Sequence, residues 1–543
     1  MNNAIYNFRT PENEPVLNYL NKSNERIELE KELEKQKNTE IEIPIIIGGK
    51  EYRTTESASI TMPHNHNHKL GTYYKATEKE IKTAITAAIN AQKEWASLAW
   101  TIRASIMLKA ADLISTKYRA LLNAATMLGQ SKNMYQAEID AACETIDFLR
   151  YNVSFAGKIY EIQPKSAFNQ LNRIEFRPLE GFVFTVSPFN FTAIAANLNT
   201  APVMMGNTTI WKPATSSILS NYYLMKVLME AGVPDGVINF IPGMGSLISN
   251  IILKNSNFAG IHFTGSNNTF NTLWKLISEN LSTYKSYPRL VGETGGKNFI
   301  FVHPSADIEN VVNNTIRGAF EYQGQKCSAA SRMYVPKSLW KQIKSKLVEK
   351  TEEIKMGDVC NPENFINAVI DDKAFNSISK FIDFAKTSSK AEIIAGGYYN
   401  KTNGYFIRPT IIETADPYFK TMEEEIFGPV LTVFVYEDSK IDEILSMCDK
   451  TSPYGLTGAV FSTDRIATAQ ICERLRYTAG NFYINDKPTG AIVGLQPFGG
   501  SRASGTNDKA GGEFNLLRWI SPRTIKETFV PVNDFKYPYM NEI

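Results

Sequence analysis

The sequence predicts an α/β protein with two domains, each built around a parallel sheet. Segments typical of strands and helices alternate over residues 182–264, and a second alternating series runs from residue 299 to residue 485. Strands and helices that alternate through short turns favour a parallel sheet covered by helices. At 543 residues, the chain also exceeds what one hydrophobic core usually organises.

The segments before the first series are mostly helical. Residues 25–37 carry dense charges of mixed sign, which indicates an exposed N-terminal helix leading into a strand-like segment at 43–47. Apolar residues at helical spacing then predict two or three long helices over residues 78–130. These helices are expected to be scaffold.

A histidine-rich stretch lies between these segments. His64, His66 and His68 alternate in a polar stretch that follows Pro63. Because no carboxylate or cysteine stands nearby to complete a ligand set, we expect a solvated loop there and no metal site.

The first alternating series contains four strands and three helices. We expect the strands at residues 182–186, 208–211, 237–241 and 261–264, and the helices at residues 193–205, 217–231 and 247–253. Ligands of parallel sheets bind outside the carboxyl ends of the strands. Ser187, Lys212 and Gly265 fall at such ends, so they are candidate binding residues.

The second series begins after Gly292. Strands are expected at residues 299–302 and 333–335, and helices at 308–320 and 339–355. Further units of the same kind continue to residue 485. This pattern indicates a second α/β domain.

Residues 152–180 interrupt the helical pattern and predict an extended hairpin. The apolar residues that flank its polar turns are Tyr160, Ile162, Ile174 and Phe176. The tail at residues 524–532 alternates in the same way and is expected to add a strand to the hairpin. Since a lone hairpin is not stable in water, we expect it to complete a sheet in a second subunit, which makes the protein a homodimer or a higher homo-oligomer.

Composition excludes several classes of function. A formal net charge of +2, without a cluster of basic and aromatic residues, argues against nucleic-acid binding. No apolar run approaches the roughly 18 residues that cross a bilayer. Five scattered cysteines lack the spacing of a metal or redox pair. We therefore expect no membrane contact, and a protein of a reducing compartment, which is the cytoplasm or, in a eukaryote, the mitochondrial matrix.

The most informative residue is Cys327, in the segment GQKCS at 324–328. It follows an acidic turn, ETGGK, which begins at Glu293. A thiol with an ordinary pKa of roughly 8.5 is only a few per cent thiolate at neutral pH. Covalent chemistry at Cys327 therefore requires that the surrounding residues prepare the thiol.

Four further motifs accompany this pair, in a fixed order along the chain. They are SPFNF at 187–191, WKP at 211–213, FTGS at 263–266 and EIFGP at 425–429. Together with Glu293 and Cys327, the ordered set resembles the aldehyde dehydrogenase superfamily over nearly the whole chain. The resemblance implies a Rossmann-type cofactor domain, an α/β catalytic domain and a β-hairpin that mediates oligomerisation.

The resemblance implies roles for three catalytic residues. The Cys327 thiolate adds to the aldehyde carbon, and the Asn190 side-chain amide, with the backbone N–H of Cys327, stabilises the oxyanion. Hydride then leaves to a nicotinamide ring, and Glu293 activates the water that hydrolyses the thioester.

The resemblance also implies an NAD site, although the chain has no ordinary G-x-G-x-x-G fingerprint. Backbone and hydroxyl donors for the pyrophosphate would come from a helix N-terminus formed by Gly265, Ser266, Asn267, Asn268 and Thr269. Lys212 would reach the adenosine ribose and Glu425 the nicotinamide ribose, with Ser187 beside them. Thr215 stands where many members carry a ribose-binding acid, so the choice between NAD and NADP stays open.

One branch of the superfamily matches more closely, namely the enzymes that oxidise glutamate γ-semialdehyde to glutamate. The segments that match are ETGGKNF at 293–299, NFYINDK at 481–487 and QPFGG at 496–500. In that branch, the hydroxyl of Ser328 and the backbone N–H groups of Gly490 and Ala491 would bind the substrate α-carboxylate. Phe191 and Phe498 would sandwich the aliphatic part of the substrate, and Glu144 would stand near the nucleophile.

These patterns also predict the division of the chain. Residues 1–155 and 181–292 are assigned to the NAD-binding domain, 293–499 to the catalytic domain, and 156–180 with 500–543 to the oligomerisation hairpin and C-terminal strand. The alternatives are an enzyme for another ω-semialdehyde or a simple aldehyde, and a cysteine hydrolase or acyltransferase without redox chemistry. A catalytically silent homologue is a further alternative.

Overall fold

The computed structural model describes residues 10–541. The longer helices that precede the first alternating series of strands and helices are Asn24–Lys37, Glu78–Ser97, Trp100–Ser115, Arg119–Gln130 and Thr145–Tyr160. A π-helix, Glu138–Glu144, joins the short helix Met134–Ala137 to the last of these. The long N-terminal helices predicted from apolar spacing are therefore confirmed.

The first sheet has seven strands. Their order is Arg289–Glu293, Phe258–Thr264, Phe182–Val186, Thr209–Lys212, Ile238–Phe240, Ile45–Ile47 and Lys50–Tyr52. The first five are parallel, and the last two add an antiparallel edge. The helices connecting the parallel strands are Thr192–Met204, Ile218–Ala231, Gly245–Ile252 and Asn267–Glu279.

The second sheet also has seven strands. Their order is Ala391–Ala395, Thr410–Thr414, Val430–Tyr436, Ala330–Pro336, Asn298–Val302, Thr457–Phe461 and Asn481–Ile484. All neighbours are parallel except the first pair. Its principal helices are Ile308–Phe320, Lys337–Glu353, Asp372–Thr387, Ile441–Lys450 and Arg465–Arg474. Strand–helix alternation over both series is confirmed.

A smaller sheet lies beside these two. It contains Ile41–Ile43, Asn65–Tyr74 and Ser57–Met62. The predicted solvated histidine loop is wrong, because His66 and His68 lie on the central strand and His64 is buried just before it. Burial lowers the pKa of His64 to about 4.

The predicted hairpin at residues 152–180 is also wrong. Its first part is the end of the helix Thr145–Tyr160, where the ring of Tyr160 packs on Trp100 at 5.2 Å between centroids. Only Gln170–Pro178 is a strand, and its antiparallel partner is Ile520–Thr528. The expected pairing with the C-terminal tail is correct, although that strand begins four residues earlier than predicted.

These elements place the carboxyl ends of several parallel strands at one edge of the first sheet. Phe182–Val186 lies between Phe258–Thr264 and Thr209–Lys212. Residues that follow these strands are therefore neighbours, as the chain pattern predicts. Within residues 10–541, no helix is both long and apolar enough to span a bilayer.

Candidate active site

The segment that carries Cys327 is held in an unusual backbone conformation. Tyr322 and Gln323 both have left-handed dihedral angles, with φ of 52° and 56°. The Gln323 amide donates to the carbonyls of Ser131 (2.9 Å) and Ala368 (2.7 Å), and the Tyr322 hydroxyl donates to another carbonyl of the same scaffold. Because non-glycine residues adopt this region only when their surroundings impose it, the surrounding bonds determine the position of the nucleophile segment.

The Cys327 backbone is fixed by the acidic Gly-Gly turn. Asn298 donates from its side-chain amide to the Cys327 carbonyl at 2.7 Å and to the Ala329 carbonyl at 2.9 Å. A Cβ atom at Gly296 would lie 2.5 Å from the Cys327 carbonyl oxygen. Only glycine therefore allows this approach, which explains the second glycine of the turn.

The charged groups around Cys327 do not lower the pKa of its thiol. Burial, followed by the negative charges of Glu293, Glu425 and Glu144, raises its pKa to about 12. The backbone N–H of Ser328 acts in the opposite direction but more weakly. The thiol is therefore neutral at pH 7, and its proton must be removed as it reacts.

Glu293 ends the strand Arg289–Glu293 and faces the same cavity as Cys327. Burial raises the pKa of its carboxyl group well above the usual range, opposed by the backbone N–H of Gly500, 3.3 Å from Oε2, and by the charge of Lys509. A carboxylate with an elevated pKa is a stronger base than an ordinary one. The sequence could not show this shift.

Asn190 lies close to the nucleophile segment. Its side-chain amide donates to the carbonyl of Gln325 at 3.0 Å, two residues before Cys327. The side chain is buried. A primary amide has two N–H donors, so one remains for a substrate oxygen.

A buried ion pair supports the start of the helix that follows Asn190, and sequence reasoning missed it. The Asp140 carboxylate accepts from the backbone N–H groups of Thr192 (3.0 Å) and Ala193 (2.8 Å). The Lys132 ammonium bonds to the same carboxylate and lies 4.1 Å from the centroid of the Phe191 ring. Lys132 carried no sequence signal because a lone lysine is normally exposed.

A cavity of about 340 Å³ adjoins the thiol. All six predicted substrate-binding residues line it, namely Ser328, Gly490, Ala491, Phe191, Phe498 and Glu144. Burial, then the negative charge of Asp140, raises the pKa of Glu144 to about 8. The structure thus brings these residues together with Cys327 and Glu293.

Basic side chains line the same cavity and were not predicted. Lys326, Arg317 and Lys487 surround Glu321, which bonds to Lys326 at 3.0 Å and to Arg317 at 2.6 Å. Their charges hold the pKa of Glu321 at about 2, despite its burial. Three cations facing one carboxylate leave a net positive charge at this end of the cavity, which favours an anionic ligand group.

The predicted cofactor residues lie at the edge of the first sheet. Lys212 ends its strand, and burial alone lowers the pKa of its ammonium to about 8. Among residues 10–541, no hydrogen-bond or ion-pair partner is found for this ammonium, which leaves its donors available. The Ser187 hydroxyl accepts from the indole N–H of Trp211 at 3.0 Å.

The helix Asn267–Glu279 begins at the same edge. Ser266 is its N-cap and accepts from the Thr269 backbone N–H at 3.3 Å, while the Asn267 amide donates to the Ala503 carbonyl at 2.8 Å. Gly265 is partly buried before it, and Asn268 is exposed. Free N–H groups at a helix start suit a phosphate.

Glu425 lies against the Gly-Gly turn that follows Glu293. Its carboxylate accepts from the Gly296 backbone N–H at 2.8 Å. Burial raises its pKa to about 7. A Cβ at Gly295 would lie 2.2 Å from the same carboxylate, so a side chain at this position would displace the Glu425 carboxylate from the turn.

A cysteine thiol, a buried acid and a buried amide beside the carboxyl edge of an α/β sheet define an enzyme with covalent cysteine chemistry. The profile of the aldehyde dehydrogenase family matches residues 51–525. The chain belongs to this family, and the predicted fold class is confirmed.

Similar proteins cover nearly the whole chain. Delta-1-pyrroline-5-carboxylate dehydrogenase, mitochondrial, of Dictyostelium discoideum is 54% identical over 540 residues, which are 99% of this chain and 97% of the relative. The human protein of the same name is 49% identical over 529 residues, 97% of this chain and 94% of its own.

Solved structures of proteins with nearly the same name as these relatives are also similar to this chain. Delta-pyrroline-5-carboxylate dehydrogenase of Mycobacterium tuberculosis bound with NAD superposes with a TM-score of 0.96, at 48% identity, over 99% of each chain. The Thermus 1-pyrroline-5-carboxylate dehydrogenase with bound NAD gives a TM-score of 0.90, at 30% identity, over 96% of this chain and 100% of that one.

Proposed function

We propose that the protein oxidises L-glutamate γ-semialdehyde, which is in equilibrium with 1-pyrroline-5-carboxylate, to L-glutamate in proline catabolism, with NAD as the oxidant. One observation carries the proposal. The cavity presents the Cys327 thiol together with the Ser328 hydroxyl and the Gly490–Ala491 backbone, and at one end three basic side chains surround the single carboxylate of Glu321. Such a cavity suits an aldehyde with a carboxylate at its other end. The names of the similar proteins support the same substrate.

The chemistry assigns one task to each catalytic residue. The Cys327 sulfur bonds to the aldehyde carbon, its proton passes to a base, and the remaining N–H of Asn190 donates to the resulting oxyanion. Departure of hydride leaves a thioester on Cys327. Water then attacks the thioester carbon, Glu293 accepts a proton from that water, and cleavage of the C–S bond releases the acid and restores the thiol.

The residues at the edge of the first sheet fit NAD. When bound, NAD supplies the acceptor for the hydride. Ser266 and the helix N-terminus after it would hold the pyrophosphate, Lys212 the adenosine ribose and Glu425 the nicotinamide ribose. The available ammonium of Lys212 and the free N–H groups of the helix support this assignment.

Residues 1–155 with 181–292 form the NAD-binding domain of the proposed enzyme, and residues 293–499 form its catalytic domain. Within the ranges 156–180 and 500–541, the ribbon of Gln170–Pro178 and Ile520–Thr528 forms the oligomerisation element, and the enzyme is a homodimer or higher homo-oligomer. Residues 156–160 instead end a scaffold helix, and Gly500 bonds to Glu293 in the active site. The exposure of the ribbon of Gln170–Pro178 and Ile520–Thr528 supports this role. Five free cysteines support a reducing compartment, the cytoplasm or a mitochondrial matrix.

The test is NADH formation from glutamate γ-semialdehyde, compared with propanal and repeated with NADP. We expect a strong preference for the semialdehyde, because each charge-assisted hydrogen bond to its carboxylate contributes about 1.5 to 3 kcal/mol. Equal rates for both aldehydes would contradict the substrate, and ester hydrolysis without NADH would indicate a cysteine hydrolase. Ser328→Ala should reduce the preference, whereas an enzyme for simple aldehydes would be unaffected.

A further inference from the structure

An irregular segment near the N-terminus forms part of the cavity wall. We call residues 13–19 the N-terminal strap. Asn13, Glu14 and Val16 line the cavity that contains the Cys327 thiol. The family profile begins at residue 51, so the strap lies outside the part of the chain that the profile matches. This wall of the cavity thus comes from outside the matched residues 51–525.

Asn13 connects the strap to two separate elements of the enzyme. Its side-chain Nδ2 donates to the Asp147 carboxylate and to the Val493 carbonyl, both at 2.8 Å. Its Oδ1 accepts from the Tyr151 hydroxyl at 3.1 Å. Asp147 and Tyr151 lie on the helix Thr145–Tyr160, so one amide joins that helix to the loop that contains Val493.

The remainder of the strap is firmly anchored. Glu14 bonds to Arg119 and to Arg150, in both cases at 2.6 Å. The Tyr19 hydroxyl donates to the Glu138 carboxylate at 2.8 Å. These partners lie on three helical elements, so Asn13 is presented from a fixed support and not from a loose terminus.

The loop that Asn13 reaches contains the predicted carboxylate-binding residues. Gly490 and Ala491 precede Val493 by two or three residues. The Val493 side chain is buried with Phe148 and Tyr151. Within the loop itself Gly490 has φ of 85°. The Ile492 N–H bonds to the Gln496 side chain at 3.0 Å, which is a contact within the same part of the chain. The bond from Asn13 to the Val493 carbonyl, at 2.8 Å, instead ties the loop to the strap.

We propose that Asn13 is a specificity-determining positioning residue, which fixes the loop at residues 490–493 so that its backbone N–H groups meet the carboxylate of the substrate. This inference rests on the proposed function, because it assumes that the substrate carries a carboxylate at that end. The hydrogen bonds of the Asn13 side chain go to Asp147, Tyr151 and the Val493 carbonyl, and not to Cys327 or Glu293. Loss of Asn13 should therefore weaken recognition of the acidic substrate and leave the chemical step intact.

The experiment compares wild type, Asn13→Ala, Tyr151→Phe and Asn18→Ala. Asn18 is an exposed asparagine of the same strap and provides the matched control. The kinetic constants are measured with glutamate γ-semialdehyde and with propanal at saturating NAD. Hydrogen–deuterium exchange of the amides at residues 490–494 is measured on the same proteins without substrate.

Asn13→Ala should lower kcat/KM for the semialdehyde about tenfold, through KM, because one hydrogen bond to the loop and two to the helix are lost. The kinetic constants of Asn13→Ala for propanal should stay within about twofold of the wild-type values. Hydrogen–deuterium exchange of the amides at residues 490–494 should become faster than in wild type. Tyr151→Phe removes only the bond to Oδ1 and should shift the same quantities in the same direction by less. Asn18→Ala should behave as wild type.

Equal losses on both aldehydes, or unchanged exchange in Asn13→Ala, would overturn the inference. If Asn13→Ala does not fold, the inference is tested with Tyr151→Phe. Amide exchange at residues 490–494 and a preference for the semialdehyde that both match wild type in Tyr151→Phe would then overturn the inference. A wild-type enzyme without preference for the semialdehyde contradicts the proposed function itself. Unchanged exchange with an intact wild-type preference contradicts only the role of Asn13.

Discussion

The Nζ atom of Lys132 lies 2.7 Å from the Asp140 carboxylate, and both side chains are completely buried. The pair joins the scaffold to the helix that begins at Thr192, whose first N–H groups bond to Asp140. The same ammonium lies 4.5 Å from the ring centroid of Tyr322 in the left-handed turn before the nucleophile. One cation therefore contacts both sides of the active site.

Lys132→Met should strongly destabilise the protein. Removal of one partner leaves the other as an uncompensated buried charge, which costs about 3 to 5 kcal/mol. The measurement is urea unfolding of the variant and of the double variant Lys132→Met/Asp140→Asn. The double variant should regain part of the loss, and a single variant as stable as wild type would show that the pair has no structural role.

Cys327→Ala should abolish aldehyde oxidation, because no other group can form the thioester. NAD affinity, measured by calorimetric titration, should stay within about twofold of wild type. Cys472→Ala, a change on the helix Arg465–Arg474, is the control and should retain full activity. Substantial turnover by Cys327→Ala would rule out this residue as the nucleophile.

Asn190→Ala should lower kcat about a hundredfold to a thousandfold, the usual effect of losing one oxyanion donor. The dissociation constant for NAD should change little, since the Asn190 amide bonds to the Gln325 carbonyl beside the nucleophile. Steady-state kinetics and NAD titration separate the two quantities. A parallel loss of both would indicate that Asn190 supports the fold instead of the oxyanion.

Glu293→Gln should lower steady-state turnover about a hundredfold or more, because the thioester loses its general base. A first burst of about one NADH per active site should remain, since hydride transfer precedes hydrolysis. In wild type, the base acts when ionised, so the rate of hydrolysis should rise as pH increases through its elevated pKa. Stopped-flow measurements over pH test both points, and absence of the burst would place Glu293 in an earlier step.

Glu144→Gln should stabilise the protein at high pH relative to wild type. Burial raises the pKa of Glu144 from 4.5 to about 8, so the folded state favours the neutral acid. Wild type therefore loses stability as pH rises from about 4.5 to about 8, and this loss is complete above pH 8. We expect the variant to gain about 1 to 3 kcal/mol between pH 5 and pH 8.5 in urea unfolding, relative to wild type.

The exposed Glu28→Gln is the matched control for this measurement and should show no such gain. A difference between Glu144→Gln and wild type that does not depend on pH would contradict the assigned ionisation. So would a gain that appears only below pH 5.

Both parallel sheets were predictable because a strand buried on both faces is a continuous apolar run. Phe258–Thr264 is buried at every position and its neighbour Phe182–Val186 at all but the last, whereas the edge strand Arg289–Glu293 is only partly buried. Helix ends were also predictable where a local signal exists, as at Gly232, which ends its helix in a left-handed conformation. Most boundaries differ from the predictions by one to three residues.

Long-range pairing was less predictable, for a physical reason. The strand Gln170–Pro178 has alternating half-exposed residues, a pattern that does not specify its partner. The polar sequence of the histidine stretch likewise predicts a loop. The stretch is a strand because of contacts with distant parts of the chain, such as the bond between the His66 ring and the Lys401 carbonyl.

The candidate site was also predictable only in part. Motifs located the residues that line the cavity, since each motif follows a strand end or forms a tight turn. The sequence does not show which side chains are buried or which charges lie near them in space. Neither the raised pKa of Cys327 nor the burial of Lys132 could therefore be predicted. Asn13 was missed because its partners lie on distant parts of the chain.

The ribbon of Gln170–Pro178 and Ile520–Thr528 has a consequence for biosynthesis. Its cross-strand pair Arg173 and Glu527 is separated by 354 positions. At translation rates of about 5 to 20 residues per second, the first strand leaves the ribosome about 20 to 70 seconds before its partner exists. During that interval its edge is open to other nascent chains, so crowded polysomes and slow codons near the 3′ end of the message should favour aggregation.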